Sequence, residues 1–142
     1  MKKGISMLIA TLFTVGVAHA AMESAPLPHT RIQGDITWLS GGVGQSEARA
    51  MERAARHYPL SLEFVIKTGQ KGMPAEFTAN VPVTITDPHG AKVFSAMSTG
   101  PFMLLKLPAG QYRIAAEVHG KKLERNVVVG RRPRHVVFEA LS

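Results

Sequence analysis

The chain has 142 residues, 45% hydrophobic and 19% charged, with 17 Lys and Arg against 10 Asp and Glu, a formal net charge of +7 and no cysteine. That length supports one compact domain whose stability comes from packing alone, without disulfides. With one Trp and two Tyr, no interleaving of aromatic and basic residues and no binding motif, the positive charge does not point to nucleic acid.

The N-terminal stretch MKKGISMLIATLFTVGVAHA carries two lysines, an uncharged apolar run from Met7 to Ala18, and a small-x-small ending at Ala18, His19 and Ala20. It reads as a signal peptide over 1–20, cleaved after Ala20. The apolar run falls short of the roughly 20 residues a spanning helix needs, and no later stretch is long and apolar enough to be one. A periplasmic location is therefore expected, with release from the cell left open. Cleavage removes two of the 17 basic residues and none of the 10 acidic ones, leaving 15 against 10 and a net charge of +5. Such an excess favours an acidic envelope protein or an anionic envelope component as partner.

Residues 21–45 hold several prolines and glycines and few periodic apolar positions, and are expected to form an extended leader. Within them SGGVG, 40–44, resembles a glycine-rich anion cradle ahead of a helix. It lacks the lysine of a nucleotide loop, and Glu47 would repel a phosphate, so a flexible connector is expected instead. A helix is predicted over 46–58, capped by Ser46 and stopped by Pro59, with Ala48, Met51, Ala55 and Tyr58 on its apolar face.

Beyond Pro59 the hydrophobic period changes from 3.6 to 2. Leu60, Leu62, Phe64 and Ile66 alternate with Ser61, Glu63, Val65 and Lys67, and Val81, Val83 and Ile85 alternate with Pro82, Thr84 and Thr86. Pro82 cannot donate to a ladder, which argues for an edge or a bulge there. DPHG at 87–90 suits a type I turn. KVFSAMS, the nearly continuous apolar run FMLLKL at 102–107, the pair 111–118 and 121–129 around Gly120, and RHVVFEA at 134–140 supply further strands. Residues 68–80 read as a loop or part of a strand. The fold predicted for 59–142 is a mostly β, about seven-stranded Greek-key sandwich, preceded by one helix.

The order VPVTITDPHGAKVF, GPFMLLKLPAGQYRIAAEVHG, KKLERNVVV resembles the carboxypeptidase regulatory-like domain, a small transthyretin-like β-sandwich, over about residues 60–140. The resemblance is carried by a turn of the form L-P-x-G-x-Y, here Leu107, Pro108, Gly110 and Tyr112. It implies a fold and an exported setting rather than a reaction. In the carboxypeptidases themselves the domain accompanies a zinc peptidase domain, whose motifs find no match here. Apart from the resemblance, Gly110 is expected to take a backbone conformation closed to other residues, and the Tyr112 hydroxyl to find a backbone partner.

No catalytic residue, cofactor or metal site is indicated. H-x-x-E and H-E-x-x-H spacings and a G-x-S-x-G elbow are absent from the sequence. His29, His57, His89, His119 and His135 are widely spaced, as solvated surface histidines would be. The densest charge feature is Lys121, Lys122, Arg125, Arg131, Arg132 and Arg134, read either as protection of an edge strand or as a contact surface for an anionic partner. A binding module for a small molecule or carbohydrate is the alternative function, with Trp38, Tyr58 and Phe102 as candidate contact aromatics.

Overall fold

The computed structural model describes residues 26–142. The signal peptide and its cleavage position lie outside the described residues. Strands dominate, arranged in two sheets. One has the order β1 (Arg31–Gln33), β2 (Ile36–Gly41), β7 (Phe102–Lys106), β3 (Leu60–Lys67), β10 (Arg134–Leu141), with the two-residue β4 (Glu76–Phe77) also on β3. The other has the order β6 (Lys92–Ser98), β5 (Val81–Thr86), β8 (Gly110–Val118), β9 (Lys121–Val129). Every pairing is antiparallel except β3 with β10, which run parallel from Arg134 opposite Leu60 to Leu141 opposite Lys67.

Ten strands form where seven were expected, and the three additional ones have distinct causes. β1 and β2 lie in the expected leader: Gly34 turns the chain at φ 56°, and the β-branched and aromatic run ITWL then pairs along β7. β4 is too short to show a period and exists only as an addition to β3 at Val65 and Ile66.

The alternating residues of β3 place Leu60, Leu62 and Phe64 between the sheets, facing Val83, Ile85, Ile114 and Val118 from the other layer. FMLL, 102–105, is continuously apolar because both faces of β7 are covered there. Met103 and Leu105 join this core, while Phe102 and Leu104 face outward beneath a helix, α1 (Gln45–Ala54). The helical face read from the spacing is the one that packs there: Met51, Ala48, Ala55 and Tyr58 meet Leu39, Phe102 and Leu104.

Two local expectations are corrected. Ser46 does not cap the helix; Gly44 occupies the cap at φ 86° with no side-chain bond, and the Glu47 carboxylate reaches back to accept from the Gly42 N–H at 2.8 Å. Nor is SGGVG a flexible connector, since Ser40, Gly41 and Gly42 are buried, and a Cβ on Gly100 would collide with the Gly41 backbone. Main chains at that crossing approach as closely as glycine allows.

The turns follow their chemistry. Asp87 Oδ1 accepts from the His89 and Ala91 amides, both at 2.9 Å, in the DPHG turn. His119 and Gly120 both take positive φ, 52° and 73°, closing β8 to β9 in two residues as a type I′ hairpin requires. Pro82 lies beyond the β8 register, which stops at Val83, and so is paired only with β6. Gly110 is not held at positive φ; it opens β8 in register with Val129, and its partner in the motif does what was expected, the Tyr112 hydroxyl donating to Pro108 O at 2.8 Å.

Candidate functional site

The basic residues of the last two strands do not form one patch. β9 and β10 edge different sheets on the same side of the sandwich, and the nine residues of β9, at about 3.3 Å each, separate its ends by roughly 30 Å. At one end Lys121 Nζ donates to Leu141 O, and Lys122 lies 3.5 Å from Glu124. Midway, Arg125 occupies a core-facing position of β9 and lays its guanidinium over the Phe138 ring at 5.8 Å, closing the gap between the two sheet edges. Lys121 and Arg125 thus tie β9 to β10. The positive charge left for a partner is concentrated at the other end, in Arg131, Arg132 and Arg134.

At that end, the outward positions of β8 and β9 form a cleft of about 490 Å³. Gln111, Arg113, Asn126 and Tyr112 line it with Arg134 and the DPHG turn. The placement follows from register: Arg113 sits opposite Asn126 on β9 and Thr86 on β5, and Gln111 opposite Val128. Arg113 Nε donates to Asn126 Oδ1 at 3.4 Å, which orients the guanidinium across the face. Among the described residues, no carboxylate lies within 4.0 Å of Arg113, Arg131, Arg132 or Arg134. Gln111, Arg113 and Asn126 escaped the sequence reading because their convergence depends on the β5-β8-β9 register; only their outward phase was legible.

Burial raises the Tyr112 phenol above its ordinary value of 10.0, helped by the negative charge of Asp87, and burial likewise raises Tyr58. The folded state therefore holds these protons more tightly than the unfolded chain. Their contribution to stability is complete below pH 10.0 and is lost as pH rises through the folded values. These two are the chain's only tyrosines, so a phenolate absorbance titration is expected to show no ordinary midpoint while the protein stays folded. Tyr112→Phe should leave one transition and a shallower loss of stability in alkali.

The aromatic candidates are placed elsewhere. Trp38 is 5% exposed and meets Phe94 edge-on at 5.4 Å, and Phe102 is 2% exposed beneath α1. Neither offers a ring face to a sugar. Tyr58 is half-buried, with Lys106 Nζ over its ring at 5.3 Å.

A second cleft, of about 360 Å³, lies on the outer face of the other sheet beside α1. There the parallel register sets His135 opposite Ser61 and leaves Glu63 two residues further along β3 on the same face. The imidazole spans the two: Nδ1 is 2.8 Å from Ser61 Oγ, and Nε2 is 2.8 Å from Glu63 Oε2. His135, expected to be a solvated surface histidine, is 48% exposed and is in addition hydrogen-bonded through both nitrogens. The sequence separations, 74 and 72 residues, kept the trio out of any linear motif. Only the shared outward phase of Ser61 and Glu63 could be read.

Among the described residues, no group of three or more His, Cys, Asp or Glu could hold a metal ion, and no helix is long and apolar enough to cross a membrane. No family model and no curated protein matches the chain. Among solved structures, it is similar to the Bacillus anthracis TIE protein, with a TM-score of 0.35 and 12% identity, covering 58% of this chain. The match spans only 16% of that much longer protein.

Proposed function

We propose that the protein is an exported β-sandwich binding module of the carboxypeptidase regulatory-like type that holds an anionic component of the cell envelope at its arginine end. The observation that carries this reading is the cleft containing Arg113 and Arg134, two guanidiniums without a carboxylate partner, beside the exposed Arg131 and Arg132. Guanidinium forks suit phosphate and carboxylate oxygens, and Gln111, Asn126 and Tyr112 add neutral groups that can fix orientation. The family part of the reading is supported by the two-sheet architecture and by the L-P-x-G-x-Y turn with its tyrosine bond. Export is supported by the N-terminal sequence.

The test is cosedimentation with vesicles of phosphatidylglycerol or of phosphatidylcholine as salt is raised. Binding is expected to the anionic vesicles alone, weakening with salt as screening grows. The combination R131Q, R132Q and R134Q should abolish it. K121Q with K122Q, at the far end of β9, should leave it nearly intact. Equal loss in both sets would mean that net charge rather than the arginine end attracts the vesicles, and the reading would fall.

A further inference from the structure

Beyond binding at the arginine end, the cleft beside α1 contains a set of groups with the polarity of a nucleophilic relay. An ionised carboxylate only accepts hydrogen bonds, so the Glu63 contact requires His135 Nε2 to carry the proton. With the imidazole neutral, its lone pair is on Nδ1 and accepts from the Ser61 hydroxyl at 2.8 Å, the shorter of two contacts open to that proton, the other being Arg134 O at 3.4 Å. The Glu63 charge fixes the proton on Nε2, and the neutral imidazole then offers Nδ1 to the hydroxyl. A serine hydroxyl within hydrogen-bond reach of a basic nitrogen, with a carboxylate to stabilise the resulting imidazolium, is the arrangement that nucleophilic catalysis uses, on whatever fold it occurs.

The surroundings support the same chemistry. Ser61 is 4% exposed yet lines the cleft, so its oxygen is partly withdrawn from water while remaining beside an open volume. The sheet's backbone N–H groups around Ser61 are engaged in ladders with β7 and β10, so charge developing on a carbonyl oxygen has to be met by side chains. Arg56 and Arg134 line the cleft and are the cations available for that role.

We propose that Ser61 is an acylable nucleophile, with His135 as its general base and Glu63 as the residue that positions His135, and that the cleft hydrolyses small carboxylic esters. Ser61 Oγ attacks the ester carbonyl carbon as its proton passes to His135 Nδ1. The bond to the leaving alkoxide then breaks, His135 returns the proton to it, and an ester of Ser61 remains. Water, deprotonated by the same imidazole, attacks that ester, releases the carboxylic acid and restores the serine. Two arginines in place of a backbone pair make this a slow catalyst, because preorganised amide donors typically contribute about 10²–10³-fold.

The experiment uses the mature chain, a fluorophosphonate probe and 4-nitrophenyl acetate. A single adduct is expected, located on Ser61 by peptide mapping. Ester hydrolysis should fall by about 10²-fold or more in Ser61→Ala and His135→Gln, the usual scale of a lost general base. Glu63→Gln should lower kcat at unchanged KM, which mere loss of a surface contact would not do. No adduct on Ser61 in the folded wild-type protein would overturn the proposal, whatever the variants do. Hydrolysis that persists undiminished in Ser61→Ala would also overturn it by assigning the turnover to histidines acting alone. Because Arg131 and Arg132 lie outside this cleft, R131Q with R132Q should retain labelling of Ser61 even where vesicle binding is lost. Arg134 lines both clefts, so this double variant, which leaves Arg134 in place, is the one that lets the two readings succeed or fail separately.

Discussion

Trp38→Ala is expected to cost about 3–5 kcal/mol, the range for deleting a buried aromatic side chain. The ring fills the space between β2 and the opposite sheet, with its edge on Phe94 at 5.4 Å and an interplanar angle of 81°, while Arg31 covers it from β1 at 5.5 Å. Little can collapse into the gap, because Leu62 and Leu105 in the same core are held by their own strands. For a domain of this size the loss corresponds to a fall in Tm of roughly 10–25 °C, a large part of the 5–15 kcal/mol that typically separates folded from unfolded states. Thermal unfolding followed by far-UV circular dichroism checks it. Because Trp38 is the chain's single tryptophan, the wild-type emission should be that of an indole in an apolar environment and should stay unchanged when anionic vesicles bind. A fall in Tm of only a few degrees, or emission that moves on ligand addition, would place the ring at a surface.

The same residue shows where sequence reading reaches its limit. The period-2 runs from Leu60 onward specify strands and their inward faces without reference to anything distant, and those faces form the core. Trp38 was ambiguous because its strand is defined by pairing with β7, more than 60 residues later, and a lone aromatic among glycines and prolines has no period to assign it inward. The arginine end and the Ser61, His135 and Glu63 relay share this dependence. Each needs to know which strands are neighbours, and the parallel pairing of β3 with β10 joins the two ends of the expected sandwich. The apolar face of α1 was legible from spacing alone, yet its docking surface became visible only when FMLL proved to be covered on both sides.

Gly100→Ala is expected to destabilise by at least the upper part of the about 1–3 kcal/mol typical of overpacking. A methyl group there would overlap the backbone of Gly41, and backbone in a sheet, unlike the far end of a side chain, cannot rotate out of the way. Relief requires moving either the end of β2 or the Pro101 turn into β7, and both carry the floor on which α1 rests through Leu39 and Phe102. Gly41→Ala is a gentler version of the same insult. Its new Cβ would meet Glu47 Oε1 and Pro28 Cγ, each at 2.5 Å, and the glutamate can withdraw at the cost of its bond to the Gly42 amide. Gly130→Ala is the control, with open space around its Cβ and no positive φ, and should change stability by less than about 0.5 kcal/mol. Since Glu52, Ala55 and Arg56 of the helical segment form one wall of the cleft above Ser61, Gly100→Ala should also loosen that wall, giving faster protease cleavage near residues 42–45 at temperatures where the sandwich remains folded. Equal Tm values for the Gly100 and Gly130 variants would mean that the two main chains do not touch, and the docking of α1 would then depend only on its side-chain contacts with Leu39, Phe102 and Leu104.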